Sequence, residues 1–585
     1  MQLQNQDIFI NQASAKAVIN EVTKLTARDS AFEVVTKQRD GVTYPAFVSL
    51  PTSLGDMYHA AAEAHGSAEF LVYLNERYSF AKLHELATAF SHVLSQECGI
   101  GKGDKVIIAM RNYPEWIVSF MGITILGAIA VPVNAWWSEQ ELARVITHSQ
   151  ASLVIVDDKR FAKLEDILQR LKVACLIARP SQDQNQSLCL MNKIRQFVAT
   201  SVELIKNPRS VQQHEHKVDS NDIATIFYTS GSTGTPKGAM STHESVLTAL
   251  YTWLMLGSAA GIANKAADVE PAFAPAALMA VPLFHVTGCH TLFLLSMLIG
   301  RKTVMMPYWD AGLALKLIEQ ERVTYFNGVP TMSMELMNHP DKDNHNLDSL
   351  LDICAGGAAR APEHVRKISL LFNSGNPTCG YGLTETNALG AVNGPLEYLA
   401  KPTSAGLPTP PIVDVKIFNL ENQPLVQGEI GEIAIKSISN IIGYWQDPKA
   451  TLAAFSNGYF KTGDLGYLDE DGFIYIVDRI KDIIIRGGEN ISSLEVENAL
   501  YEHPSTLEAS VFGIPDERLG EVVGAVVCVN NSESVDEQSL QLFLAESIAH
   551  FKVPHKIWLV AQRLPRLGSG KIDKRAIKIH YLSLT

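Results

Sequence analysis

From Lys105 onward the sequence alternates strand-length apolar runs with helix-length runs, and this constrains the fold more than any other feature. Lys105-Val-Ile-Ile-Ala-Met110 reads as a buried strand, Glu115 to Ile129 as an apolar helix and Ala130-Val-Pro-Val133 as a short extended segment. Ser138 followed by Glu141 is a capping-box pattern opening the next helix. Leu153–Val156 is the next strand, Arg160–Leu171 a helix and Cys175–Ile177 another strand. Parallel strands need long crossovers, so βαβα alternation predicts a mostly parallel sheet covered by helices. A second series places strands near Ile223–Tyr228, Lys302–Met306, Thr324–Asn327 and Leu350–Cys354. The texture then changes to short strands with Gly and Pro turns over Pro402–Ile435, a smaller β-rich subdomain. A last αβ unit runs from about Ile480 to Thr585. Three stretches resist the pattern: the first seventy or so residues, the polar run Ser181–Asp222, read as including a surface connection, and the Ala-rich run Ser258–Ala280, read as a loop or irregular helix.

Composition narrows the function classes without choosing one. With 49 Lys+Arg against 62 Asp+Glu the formal charge is −13, which disfavours nonspecific attraction to nucleic acid or anionic lipid. The seven cysteines form no CxxC pair, so reduced thiols in the cytoplasm are expected. No secretory signal is visible at the N-terminus. Trp116–Trp137 and Met279–Gly300 are apolar but interrupted, the first by Pro132 and Asn134, the second by Pro282, His285 and His290, so no transmembrane segment is expected.

The most informative local run is Tyr228-Thr-Ser-Gly-Ser-Thr-Gly-Thr-Pro-Lys-Gly238, placed just after a strand. Gly231, Gly234 and Gly238 allow close backbone approach, and Thr229, Ser230, Ser232, Thr233, Thr235 and Lys237 supply donors suited to phosphate oxygens. It is not a Walker A loop, because Lys237 lies between Pro236 and Gly238. Taken singly, the other runs have ordinary readings: His285 in Pro282–Gly288 is a packed core histidine, Ala355–Ala359 a Gly-Gly turn, Asp464 a turn residue, Arg479 a surface partner and Lys571 a solvated lysine.

Their order removes the ordinary readings. The run from Tyr228 to Gly238, Pro282–Gly288, Ala355–Ala359, Gly380-Tyr-Gly-Leu-Thr-Glu-Thr386, Tyr459–Asp464, Tyr475–Arg479, Arg479–Asn490 and Leu564-Pro-Arg-Leu-Gly-Ser-Gly-Lys571 resembles, motif by motif, the adenylate-forming superfamily of acyl-CoA synthetases, peptide-synthetase adenylation domains and luciferases. The resemblance implies an α/β fold with a large N-terminal domain, 1–480, of αβ subdomains plus a β-rich subdomain, and a small mobile C-terminal α+β domain, 481–585. It implies that ATP, Mg²⁺ and CoA are used, with a carboxylic acid as substrate, and it leaves a homodimer open. By resemblance, Thr229 to Thr235 and Lys237 hold phosphates; Gly356, Gly357 and Ala358 face the adenine ring; Gly380, Tyr381 and Gly382 complete that cleft; Thr384 contacts the α-phosphate; Glu385 holds Mg²⁺; and Asp464 and Arg479 bind ribose or phosphate oxygens. Lys481 is the hinge, Gly487 and Gly488 close on the pantetheine tunnel, and Lys571 is catalytic together with Thr384, Glu385 and Lys237, while His285 walls the acyl site.

Departures from the family pattern bear on the substrate. His285 stands where amino-acid-activating relatives carry Asp, which disfavours an amino acid. Ile491-Ser-Ser493 replaces the Ile-Tyr-Pro usual in CoA ligases, and Leu567 replaces Thr. With apolar Ala280–Leu294 and the Trp136-Trp137 pair, a medium- to long-chain fatty acid is the first expectation. An aryl or alicyclic acid, and delivery to a carrier protein, are the alternatives. An adenylate-binding regulator without turnover and a luciferase-like oxidation are the readings from other classes.

Overall fold

The structure is a computed structural model describing residues 14–181, 183–200, 217–229, 236–264, 272–530 and 535–584. The first αβ series folds as its alternation requires. Lys105–Ala109, Ile129–Pro132, Leu153–Asp157 and Ala174–Ala178 lie parallel in a seven-stranded sheet. Ile223–Thr229 joins it parallel to Ile129–Pro132 and turns back through the antiparallel strand Lys237–Thr242. The helix Pro114–Leu126 is buried on nearly every face, which explains its unbroken apolar composition. It stops before the predicted Ile129 because Gly127 takes the left-handed conformation, φ +79°, that ends a helix. The Ser138 capping box forms, with the Ser138 hydroxyl accepting from the Glu141 N–H at 3.3 Å and the Glu141 carboxylate accepting from the Ser138 N–H at 2.8 Å. Asp157 caps Asp158–Leu171, so that helix begins ahead of the predicted Arg160.

The second series and the β-rich subdomain are one continuous fourteen-stranded sheet. Its parallel part orders Glu69–Tyr73, Lys302–Met305, Ala276–Met279, Tyr325–Gly328, Asp352–Gly356 and Asn376–Tyr381. It then continues antiparallel through Ala391–Asn393, Ser404–Pro408, Ile474–Arg479, Tyr459–Leu468 and Gly431–Lys436 to Asp414–Phe418. The smaller domain carries a five-stranded sheet from Ile484–Arg486 to Lys556–Val560, packed with the helices Ser493–Tyr501 and Glu537–Ser547.

Each weakly patterned stretch contains ordered elements. The described parts of the Ala-rich run include regular elements that the reading as a loop or irregular helix did not foresee: the end of the helix His243–Ala263 and, beyond 265–271, which are not described, the interior strand Ala276–Met279. Fully buried, that strand needs no alternation, and alanines suffice. The polar run includes the helix Leu190–Thr200, anchored by buried Leu190, Ile194 and Phe197. The early residues hold the hairpin Val34–Arg39 and Val42–Phe47 and the strand Glu69–Tyr73. Among the described residues one helix, His243–Ala263, is long and apolar enough to cross a membrane. Its first turns bury His243, Glu244, Ser245 and Thr248 against protein, as in a core helix.

The buried pair Asp157–Arg160, at 3.0 Å, also ties the first sheet to the loop before the capping box, because the Arg160 Nε–H donates to the Ala135 carbonyl at 2.7 Å. Removing one partner leaves a buried charge unpaired, at a cost of about 3 kcal/mol. Asp157→Ala is expected to lower the thermal unfolding midpoint by several degrees in calorimetry, with Asp157→Asn recovering the cap but only part of the loss.

Candidate active site

Three parallel strands, Tyr325–Gly328, Asp352–Gly356 and Asn376–Tyr381, end at one crevice, the place where α/β sheets bind ligands. Glycines crowd their ends. Gly356 pairs with Gly380, Gly357 follows at φ +77°, and a Cβ on Gly382 would sit 2.4 Å from the Ala388 carbonyl. The result is a flat backbone floor that only glycine can make at Gly382.

The wall beside this floor is a chain of polar contacts. The Tyr381 hydroxyl donates to Asp464 Oδ2 at 2.8 Å, and Arg479 Nε lies 3.0 Å from Asp464 Oδ1. Asp464 and Arg479 face each other across neighbouring antiparallel strands, so sheet register fixes the pair. Burial pushes the Asp464 carboxyl upward, with Arg479 opposing the shift.

Lys571 comes to this wall from the smaller domain. A Cβ built on Gly357 would stand 2.9 Å from Lys571 Cε and 3.0 Å from its Nζ. Removal from water pushes the Lys571 ammonium down to about 8, helped by nearby Arg479 and opposed by Asp464. The turn carrying it packs on the large domain: a Cβ on Gly570 would meet Met332 and Val329 at 3.2 Å, and one on Gly568 would meet Asn134 at 3.0 Å. His285 faces the same region; burial first, then Lys571, lowers it to about 3, so its ring is neutral, and its buried Nε2 has no partner among the described residues. Its motif runs into a π-helical segment, Thr287–Leu294, wound wider than an α-helix, and Gly288 fits because a Cβ there would lie 2.3 Å from the Pro282 carbonyl.

A third group gathers around Tyr444. Its hydroxyl donates to Glu385 Oε1 at 3.0 Å, and Lys237 Nζ stands 5.1 Å from the ring centroid. Burial raises the Glu385 carboxyl. Thr384 precedes Glu385 on the same short 3₁₀ turn. Lys237 lies opposite Thr229 at the base of the hairpin, while Ser230 to Thr235 fall outside the described residues. Among the described residues no group of three or more His, Cys, Asp or Glu side chains is placed to hold a metal ion. One carboxylate fits Mg²⁺, which keeps waters and takes phosphate oxygens rather than a protein cage.

The expected residues therefore divide. Lys237, Gly356, Gly357, Tyr381, Thr384, Glu385, Asp464, Arg479, Lys571 and His285 line or adjoin the crevice. Gly487 and Gly488, at φ +59° and +91°, form an exposed hairpin turn, and no atom lies within 4 Å of a Cβ built on Gly488. Lys481 is exposed between the two domains. Of the tryptophan pair only Trp136 reaches the second motif, 5.4 Å from the Phe284 ring, whereas Trp137 packs on the core of the first sheet. Sequence reading missed Tyr444, because an aromatic after Gly443 carries no sign of partners at 237 and 385.

Comparison with known proteins gives the family. The description of the AMP-binding enzymes matches residues 58–445, and that of the AMP-binding enzyme C-terminal domain matches 495–571. The chain belongs to the AMP-binding enzyme family. It is 33% identical to a long-chain-fatty-acid–CoA ligase of Bacillus subtilis strain 168, over 82% of this chain and 86% of that one. A feruloyl-CoA synthase of an Amycolatopsis species is 31% identical over 89% of this chain and 96% of its own. The solved structure of the anthranilate CoA ligase AuaEII with anthranoyl-AMP shares the fold, with a TM-score of 0.79 at 22% identity over 91% of this chain and 98% of that one.

Competitive labelling with acetic anhydride, read by mass spectrometry across pH, is expected to give Lys571 a midpoint near 8, the charged form prevailing below it. Arg479→Gln removes a neighbouring cation and is expected to move that midpoint upward.

Proposed function

We propose that this AMP-forming acid–CoA ligase activates a medium- to long-chain fatty acid. It uses ATP, Mg²⁺ and CoA. The observation that carries the site assignment is Lys571 lodged against Gly357 and beside a second cation, Arg479, with Asp464 near both. In the first half-reaction the substrate carboxylate attacks the α-phosphorus of ATP in line, forming the acyl–phosphate bond of acyl-AMP and breaking the bond to pyrophosphate. The floor of Gly356, Gly357 and Gly380 orients adenine, Asp464 accepts from the ribose hydroxyls, and Arg479 donates to ribose or phosphate oxygens. Lys571, Thr384 and Lys237 bring positive charge and donors to the phosphates as negative charge shifts toward pyrophosphate. Glu385 would hold Mg²⁺, which when bound would supply Lewis-acid neutralisation of the phosphates. Neutral His285 walls the acyl end and transfers no proton.

In the second half-reaction the CoA thiolate attacks the acyl carbonyl and AMP leaves. Gly487 and Gly488 stand exposed while Lys571 occupies the crevice, so one arrangement of the domains does not serve both steps. Rotation at Lys481 withdraws Lys571 and presents the glycine turn to the pantetheine path. The fatty-acid assignment is supported by the Bacillus relative and by the apolar wall of Phe284 and Trp136. An aryl acid is the second reading, supported by the feruloyl-CoA synthase relative.

An AMP-release screen over fatty and aryl acids, with and without CoA, tests the assignment: fatty acids of medium to long chain are expected to give the highest kcat/KM. Lys571→Ala is expected to lower pyrophosphate release by about 100-fold or more while sparing thioester formation from supplied acyl-AMP. Lys481→Pro is expected to do the reverse. Equal loss of both steps in either variant counts against the two-arrangement account.

A further inference from the structure

The turn bearing Lys571 is held at the crevice by more than shape. Glu335, on the large domain's helix Pro330–Met337, forms ion pairs with two arginines of the smaller domain, Arg563 and, at 2.9 Å, Arg566. Its other oxygen accepts from the Trp309 indole N–H. Trp309 is itself fixed against Phe326, with ring centroids 5.7 Å apart. The two arginines are prearranged by a second carboxylate of their own domain: Glu508, only 1% exposed, pairs with Arg566 and, at 3.1 Å, with Arg563, and accepts from the Leu564 N–H at 2.8 Å.

The partition of these partners is the informative point. Glu508 and the arginines belong to the smaller domain, Glu335 and Trp309 to the large one. Of these ion pairs, rotation of the smaller domain separates those of Glu335 with Arg563 and Arg566, while Glu335 keeps Trp309 and the arginines keep Glu508. Opening strands no buried charge, which is what a reversible contact requires and what a permanent interface does not. Arg566 also bridges to Ile572 at the neck of the Lys571 turn, while the Leu567 N–H donates to the Lys571 carbonyl and the Gly570 N–H to the Leu567 carbonyl, both at 2.8 Å. A pull on Arg566 is thus a pull on the base of the loop that delivers Lys571.

The geometry points to Glu335 as a positioning residue for the first half-reaction: a latch that, through Arg563 and Arg566, favours the arrangement with Lys571 in the crevice. The inference rests on the two-step ligase reading. Among the described residues the polar partners of Glu335 are Trp309, Arg563 and Arg566, so it acts through the arginines. Because Arg563 is 54% exposed at its side chain, the latch is partly screened by solvent and is readily released.

Glu335→Gln keeps the volume and an acceptor for Trp309 while removing the charge. In the full-length enzyme this variant is expected to slow single-turnover pyrophosphate release from ATP and dodecanoic acid by about three- to tenfold. Thioester formation from supplied dodecanoyl-AMP and CoA is expected to be unchanged or faster. Arg563→Gln is expected to repeat the effect, and the double variant to add little to either. In the enzyme without substrates, hydrogen exchange at the Leu567 and Gly570 amides is expected to quicken in Glu335→Gln while the Val526 and Ala525 amides of the small-domain sheet stay as they were. Equal slowing of both half-reactions, fully additive single effects, or unchanged exchange at Leu567 and Gly570 overturns the latch. Exchange needs no substrate, so it judges the latch even where a screen with dodecanoic acid alone gives no turnover and counts against the fatty-acid reading.

Discussion

The working arrangement depends on one costly placement: the Lys571 ammonium, partly removed from water and set beside a second cation, Arg479. Asp464, itself committed to Tyr381 and Arg479, is the carboxylate that favours its charge. The surrounding structure can be read as what makes that placement possible. Gly357 leaves the space, the Gly570 turn packs on Val329 and Met332, and the arginine pair anchors the neck of the loop. A cation held this way is strongly attracted to a polyphosphate, since its solvation has already been given up before the ligand arrives. The chain's −13 net charge sharpens the contrast, because the cations at the crevice act against the field of the rest of the molecule.

Much of the fold was legible because local and global preferences agree. The capping residues Ser138 and Asp157, the helix-ending Gly127 and the β-branched runs of the first sheet each carry their own signal. Legibility failed where burial replaced periodicity. Ala276–Met279 lies inside the large sheet, fully buried between two parallel neighbours, where alanine suits close neighbours rather than strand propensity. Leu190–Thr200 hides in a polar stretch because only one narrow stripe of it touches the core. The single sheet joining the αβ and β-rich parts was likewise invisible, since pairing between Ser404–Pro408 and Ile474–Arg479 is a long-range choice.

The site divided along the same line. Residues recognised through contiguous motifs, such as Tyr381, Glu385, Asp464 and Lys571, fall together in space. Tyr444 and Glu335 were missed because each takes its meaning from partners far away in the chain, 59 residues for Glu385 and 228 for Arg563. The departure at Ser492 and Ser493 also finds its sense only in three dimensions. The Ser492 hydroxyl donates to the Val477 carbonyl at 2.7 Å, and the Ser493 N–H donates to the Asp478 carboxylate. Two serines therefore fasten the smaller domain to the strand that ends in Arg479, next to the pivot.

The glycine floor changes how loss of activity is to be interpreted. Gly382 faces the Ala388 carbonyl so closely that any side chain displaces the turn carrying Thr384 and Glu385. A survey of inactivating substitutions will score Gly382 and Glu385 alike, though one is a matter of room and the other of charge. Intolerance along Gly380–Thr386 thus measures the backbone's geometry as much as the reaction's chemistry, and only a variant that keeps the fold while changing one step can tell the two apart.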